Sequence, residues 1–311
     1  MPIPAALTKG LKLPAIASPM FLASGPDLVV ETARAGVVGT FPALNQRTTQ
    51  GYGDWLDEIA GRLAEAGEAA AFGVNLIVHR SNARIEADVM MTVAKKVPLV
   101  ITSLGAVKDV VDAVHSYGGL VFHDVINARH AEKAAEAGVD GIIAVAAGAG
   151  GHAGSFSPFA LVSEIRKVWS GTLVLAGAMN TGADILAARA MGADMGYMGT
   201  RFLATHEAQI EPAYKEMIVD ASARDILYTP AISGVNANFL KPSIIAAGLD
   251  PDNLTAHGKM DLEGEAKAWK TVWSAGHGVG GISEVLPAGE LCARLIAEYR
   301  ATKAAVAADP F

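Results

Sequence analysis

One cysteine, Cys292, is present in 311 residues. A single thiol excludes an internal disulfide framework and any cysteine-rich zinc or iron–sulfur centre. Basic residues are few and scattered: 25 Lys and Arg face 32 Asp and Glu, a net charge of −7. Without a basic cluster or stripe, nucleic acid is not expected as the main partner. Long hydrophobic runs are also missing. Mean hydropathy is +0.31, yet the apolar residues lie in short runs broken by Gly, Asp and Lys, well under the roughly 20 residues of a membrane-spanning helix. The opening Met1-Pro2-Ile3-Pro4 has no basic segment followed by an apolar run, so no secretory signal is expected. No Walker sequence occurs, and no G-x-G-x-x-G follows a first strand, which disfavours a Rossmann nucleotide site. No set of His and carboxylate residues stands at ligand spacing, so no metal is expected. These absences leave an α/β protein with a cytoplasmic location as the expectation.

What the chain has is alternation. Its hydrophobic residues, 51% of the total, fall in short β-branched runs separated by Ala-rich helical stretches, the pattern of parallel βα units. Strands are expected near Ala15–Met20, Val37–Thr40, Ala71–Ile77, Leu99–Thr102, Leu120–His123, Gly141–Val145, Thr172–Ala176 and Met195–Met198. Helices fit between them at Asp27–Ala35, Asp54–Ala66, Arg80–Lys95, Val107–Ser116, Ala128–Ala137, Pro158–Trp169 and Ala183–Met191. Eight strands are the number that closes a (β/α) barrel. One joint recurs: Ala35-Gly36-Val37, Ala137-Gly138-Val139 and Met191-Gly192-Ala193 each end a helix on Gly and enter a strand at once, using Gly at the left-handed position that stops a helix.

After about residue 200 the alternation stops. Helices are expected at Glu207–Ala223, Leu262–Ser274 and Pro287–Ala307, with Tyr228–Pro242 as a long loop and Cys292 as a buried small apolar residue. No Pro/Gly/Ser linker separates this part. The expected architecture is therefore a (β/α)8 barrel core over residues 1–205, with a helical and loop extension over 206–311 packed on the same barrel.

Barrel chemistry sits on the loops that follow the strands. The sixth strand leads into Ala146-Ala147-Gly148-Ala149-Gly150-Gly151-His152-Ala153-Gly154. So many glycines let backbone N–H groups approach a ligand closely. His152 inside that loop is the candidate proton acceptor or hydrogen-bond donor to substrate. Gly177-Ala178-Met179 follows the seventh strand and Gly199-Thr200-Arg201 the eighth, the places where barrels build phosphate sites. Ser18-Pro19-Met20 ends the first strand, and Asn75 in the third offers donor and acceptor to a ring edge. His123-Asp124 ends the fifth strand and is open between catalytic, metal-binding and purely structural roles.

These segments resemble the nitronate monooxygenase (2-nitropropane dioxygenase) family. The residues that carry the resemblance are Gly150-Gly151-His152-Ala153-Gly154, Ala176-Gly177-Ala178 followed by Gly182, and Met198-Gly199-Thr200-Arg201-Phe202-Leu203-Ala204-Thr205. Ser18-Pro19-Met20, Phe72-Gly73-Val74-Asn75-Leu76 and Trp273-Ser274-Ala275-Gly276 corroborate it in family order along most of the chain. The resemblance implies a TIM barrel with non-covalent FMN at the strand C-terminal ends. Gly177, Gly199 and Thr200 would then hold the phosphate, beside Ala178. Ser18, Pro19, Met20, Asn75, His123, Gly276 and the Gly150–Gly151 backbone would surround the rest of the cofactor. His152 would be the catalytic base, and the reaction oxidation of small alkyl nitronates or nitroalkanes with O₂ to a carbonyl compound and nitrite.

Two departures stand out. Many members carry a Lys near the position of Asp124, where an ionised carboxylate opposes negative charge on the flavin, so Asp124 points away or His123 takes over. Gly148-Ala149 also replaces an acidic residue found in part of the family. Two other functions share these loops: an FMN-dependent NAD(P)H reductase of quinones or enoyl thioesters, and a flavin-free barrel binding a phosphorylated metabolite. Partners are expected to be the small-molecule substrate and O₂, and the oligomeric state, a homodimer included, is left open.

Overall fold

The three Gly joints set the repeat. Gly36, Gly138 and Gly192 take φ of 95°, 86° and 111°, a region that costs L-residues a Cβ clash and Gly nothing. At Gly36 the backbone N–H bonds back to the carbonyls of Thr32 and Ala33, closing the helix end. Each joint turns a helix into the next strand with no intervening loop. In the computed structural model, which describes residues 3–79, 81–105, 108–254 and 270–310, the strands close into a barrel.

Its staves are β1 (Ala15–Ala17), β2 (Val38–Pro42), β3 (Phe72–Ile77), β4 (Leu99–Ser103), β5 (Leu120–Val125), β6 (Gly141–Val145), β8 (Thr172–Ala176) and β9 (Met195–Met198). All pair in parallel with their neighbours, and β9 returns to β1 through Ala15 opposite Gly196. The expected (β/α)8 barrel is therefore the fold. Around it run α2 (Pro26–Ala35), α3 (Thr49–Ala66), α4 (Ile85–Ala94), α5 (Lys108–His115), α6 (Ala128–Glu136), α7 (Pro158–Val168) and α8 (Gly182–Ala190), after a short α1 (Ala5–Thr8). Helix α3 starts five residues before its expected position because Thr48 accepts a hydrogen bond from Gly51 N–H at 3.0 Å and caps it. The start expected at Arg80 lies outside the described residues, as does Val107 of the next helix.

Strand residues alternate between two cores. Ile16, Val38, Leu99, Ile101, Phe122, Ile143, Val174 and Met195 fill the barrel interior. Their neighbours, such as Val74, Val100, Val121, Ile142 and Leu173, pack outward against the helices. Both sets are apolar, as expected of strands buried on both faces.

The extension contains more sheet than its sequence suggests. The expected loop Tyr228–Pro242 is corrected: β10 (Ile226–Thr229) and β11 (Ala237–Leu240) form an antiparallel pair, and β11 also pairs with β7, the dipeptide Gly151–His152. Only this long-range pairing holds such short strands, and the Gly234, Asn236 and Asn238 between and within them read as turn residues. After the short α9 (Thr200–Leu203), the helix expected at Glu207–Ala223 shrinks to α10 (Pro212–Asp220). Pro212 occupies the first turn, where a missing N–H costs nothing, and cannot sit inside a helix. Helix α11 spans Lys241–Ala246. Most of the helix expected at Leu262–Ser274 lies outside the described residues. The closing helix α12 (Ala288–Ala308) places Leu291, Cys292, Leu295, Ile296 and Tyr299 on one face, buried against β1, β9 and α2. Among the described residues no helix is long and apolar enough to cross a membrane.

Candidate active site

The inward set of strand residues changes character at the carboxyl ends. There the apolar interior gives way to Asn75 (β3), Ser103 (β4), Asp124 (β5) and Tyr197 (β9), with Ser18 just past β1. They form the floor of a cavity of about 790 Å³, within the 300–1,000 Å³ usual for small-molecule sites. The floor is wired together. Asn75 Nδ2 donates to Ser103 Oγ at 2.7 Å and to the carbonyl of Ile101 at 3.2 Å. Ser103 Oγ donates to Asp124 Oδ2 at 2.6 Å. Both amide hydrogens of Asn75 are thus taken, so it can turn only an acceptor, its carbonyl oxygen, toward a ring edge.

Of the residues expected here, Ser18, Pro19, Met20, Asn75, Gly150, Gly151, His152, Gly177, Ala178, Gly199, Thr200 and Gly276 all line this one cavity. His123 does not. It lies on the outward face of β5 with Val121 and Val125, and its Nδ1 pairs with Thr102 Oγ1 at 2.8 Å. Burial pushes its pKa down to about 4, so the ring is neutral and turned to the helices. The expectation that Asp124 points away, or that His123 replaces it, is corrected on both counts. Strand alternation puts Asp124 on the same inward face as Phe122 and sends His123 outward.

Asp124 is the charged group on the cavity floor. Burial pushes its pKa up to about 6, against the opposing pull of the Ser103 hydrogen bond and of the positive charge of His152. Tyr197 beside it stays protonated, its pKa raised well above the usual phenol value by burial and by Asp124. Ser103 and Tyr197 were not singled out from sequence as site residues, and Asp124 was singled out with its role left open. Inward parity at a strand's carboxyl end is the signal that identifies all three.

The His152 loop is held from the extension. The β7–β11 pairing sets Ala237 opposite His152. Gly151 N–H donates to Ser274 Oγ at 2.7 Å, which donates to the Asn238 carbonyl at 2.6 Å, while Asn238 Nδ2 donates to the Ala149 carbonyl at 2.7 Å. Tyr214 bonds the backbone of Ser274 through its hydroxyl and stacks on Trp273 with ring centroids 4.8 Å apart. Both late segments, around Asn238 and around Trp273–Gly276, therefore position the candidate base. The N–H groups of Gly151 and Ala178 are engaged by protein acceptors, the latter by the Gly148 carbonyl at 3.2 Å.

Opposite lies a cradle built by close approach. A Cβ on Gly199 would sit 2.7 Å from Ser18 Oγ, and one on Gly276 would collide with the Gly148 carbonyl. Gly276 N–H donates to Thr200 Oγ1 at 2.8 Å, which leaves the threonine hydroxyl hydrogen to donate to a ligand. Gly177 takes φ of 139°, and Ala178 (φ 54°), Leu22 (φ 61°) and Leu104 (φ 65°), all lining the cavity, are three of the four non-Gly residues with positive φ among the described residues. Such strained backbone concentrates at functional sites. Met20 is set by Asn45, whose side chain bonds the carbonyls of Met20 and Ser24 at 3.1 and 2.8 Å and the N–H of Leu22 at 2.8 Å. Arg84, bonded to Asp88 Oδ1 at 3.0 Å, lines the outer part with Phe21, Leu22, Leu44 and Leu104.

The nitronate monooxygenase family profile matches residues 69–298, from β3 to α12. The chain belongs to the nitronate monooxygenase family. A relative named nitronate monooxygenase from Paraburkholderia phytofirmans is 31% identical over 211 residues, covering 62% of this chain and 58% of that protein. A dehydrogenase from Rhodococcus jostii, named for a bicyclic indene carboxyl-CoA, is 26% identical over 236 residues, covering 76% of this chain and 65% of that protein. The chain thus spans less than two thirds of the length of these curated relatives. Among solved structures, the nitroalkane oxidase of Streptomyces ansochromogenes superposes with a TM-score of 0.80 at 25% identity, over 97% of this chain and all of that one.

Proposed function

We propose that this family member is an FMN-dependent oxidoreductase that oxidises small alkyl nitronates and nitroalkanes with O₂. The observation that carries the reading is the placement of His152 over a polar floor, facing a glycine cradle with a free threonine hydroxyl hydrogen, in one cavity. The donor set of the cradle, Gly177, Gly199 and Thr200, contains no carboxylate and suits a phosphate. Met20, the Asn75 carbonyl oxygen and the Gly150–Gly151 backbone would border the ring system. FMN bound there would supply the redox chemistry that couples oxidation of the substrate, to a carbonyl compound and nitrite, with reduction of O₂. The chain supplies the rest. His152 removes the α-proton of a neutral nitroalkane or orients a nitronate, Asn75 accepts a hydrogen bond, and the Tyr214–Ser274–Asn238 bonds keep His152 in place.

The outer cavity, apolar at Phe21, Leu22, Leu44 and Leu104, favours a second reading, NAD(P)H-dependent turnover of a larger quinone or enoyl thioester. A flavin-free barrel that holds a phosphorylated metabolite would use the same cradle. One set of measurements separates the three. The purified protein should show a yellow flavin spectrum, and anaerobic mixing should bleach it rapidly with ethylnitronate and not with NADH. Bleaching by NADH alone establishes the second reading; a colourless protein that takes up no FMN establishes the third.

A further inference from the structure

Asp124 differs from Asp140, Asp194 and Asp184, the aspartates that accept backbone N–H groups at the joints of the barrel. Asp140 Oδ2 accepts the N–H of Val121 and a bond from His115 Nε2, both at 2.8 Å. Asp194 Oδ2 accepts the N–H of Leu173 and Arg166 Nη2, both at 2.8 Å. Asp184 Oδ2 accepts the N–H groups of Asn180 and Thr181 at 2.8 Å. Each of these partly exposed carboxylates accepts at least one backbone N–H and a second donor. The buried Asp88, whose Oδ2 has no partner, is held on Oδ1 by the Arg84 guanidinium and the Thr49 hydroxyl. Asp124 has one donor, the hydroxyl of Ser103, and its Oδ1 is buried with no hydrogen-bond partner. Burial of an ionised carboxylate so poorly supplied costs several kcal/mol unless a positive charge faces it.

Two titratable groups face Asp124 from neighbouring elements. Tyr197, from β9, is held neutral. His152, from β7, lines the same cavity as Asp124, and its positive charge pulls the Asp124 carboxyl down against the effect of burial. β3 and β4 offer only Asn75 and Ser103, β6 places Ile143 opposite it in register, and His123 on its own strand faces the helices. We propose that Asp124 is a positioning residue for His152: its carboxylate, fixed by the Ser103–Asn75 chain, orients the imidazole and offsets the positive charge that the ring gains when it takes a proton. This rests on the reading of His152 as the base. The step it serves balances without any redox change. The C–H bond beside the nitro group breaks, the proton goes to a ring nitrogen of His152, the electron pair remains on the substrate as the nitronate C=N bond, and Asp124 stays ionised throughout.

The test is the titration of the Asp124 carboxyl carbon by NMR in the purified protein, assigned by its loss from the spectrum of Asp124→Glu. Its midpoint, near 6 in the intact protein, should rise by about one pH unit or more in His152→Gln, since a facing opposite charge shifts a carboxyl by about 1–3 units. Asp124→Asn should lose about tenfold in kcat on neutral nitroalkane with KM nearly unchanged, lose much less on preformed nitronate, and Asp124→Glu should recover part of the loss. A carboxyl midpoint that is the same with and without His152 overturns the pairing whatever the activities, and this arm stands even if Asp124→Asn fails to fold. Full nitroalkane activity in His152→Gln overturns instead the reading of His152 as the base, and with it the role given to Asp124, while the measured pairing survives.

Discussion

Each end of the barrel carries an aspartate and a histidine, and the two carboxylates are supplied very differently. At the amino end of the strands, Asp140 and His115 meet at 2.8 Å with 28% and 39% of their side chains exposed. A backbone N–H completes the carboxylate, and the pair ties a helix–strand joint to the next strand. At the carboxyl end, Asp124 and His152 face a cavity, and the carboxylate has one neutral donor and an unpartnered oxygen. The lesson is that residue identity does not separate a structural pair from a functional one. The donor count and the burial around the carboxylate do. A saturated, wet carboxylate is stable where it is; a buried, under-supplied one has free energy to give when a charge appears opposite it.

That contrast can be broken at several points. The largest effect is expected from Gly199→Leu, whose side chain must displace Ser18 from the cradle. The purified variant should be largely flavin-free and inactive while its thermal unfolding stays close to that of the parent. A fully flavin-loaded Gly199→Leu protein would remove that loop from the cofactor site. His152→Ala comes next, with flavin content unchanged. A positioned base contributes about 10²–10⁴-fold, so turnover of neutral nitroalkane should fall by that factor and turnover of preformed nitronate by less. Equal losses on the two forms would indicate orientation of the nitro group rather than proton removal.

The third effect is on stability and depends on pH. The folded-state pKa of Asp124 is raised from its ordinary 3.8 to about 6, so its contribution favours folding below pH 4 and is lost as pH rises through 6. Compared with the parent, Asp124→Asn should therefore gain stability between pH 4 and 7, by up to about 3 kcal/mol for a two-unit shift. Urea unfolding at the two pH values checks this, and a difference independent of pH would contradict the burial cost assigned to the carboxylate. The smallest effect belongs to the other end. Asp140→Asn keeps an acceptor for Val121 N–H and should cost about 0.5–1 kcal/mol with turnover unchanged; a loss of turnover there would mean that the two ends are coupled.

Much of this was legible in the sequence, for identifiable reasons. The eight strands and the Gly joints at Gly36, Gly138 and Gly192 follow from local chemistry, since only Gly takes the left-handed turn without cost. Twelve of the thirteen candidate site residues read from the sequence line one cavity, most of them because they sit at or just after the carboxyl ends of strands, where a barrel puts its site. His123 was misplaced, Asp124 was expected to point away, and Ser103 and Tyr197 were passed over, because a strand buried on both faces hides its own alternation. Val121, Phe122 and Val125 are all apolar, so nothing in the run Leu120–Val125 says which parity looks into the barrel.

The sequence by itself determined the repeat, the closed (β/α) architecture and the glycine-rich loops, all of which rest on backbone conformation and local periodicity. Only the tertiary structure decided what those loops do. The β7–β11 pair, the Ser274 and Asn238 bonds that hold the His152 loop, and the Asn75–Ser103–Asp124 chain join residues 21 to 123 positions apart. Such contacts exist only once barrel closure has offset the entropy of bringing distant segments together, and the direction of each floor residue is set by strand register, which forms at the same moment.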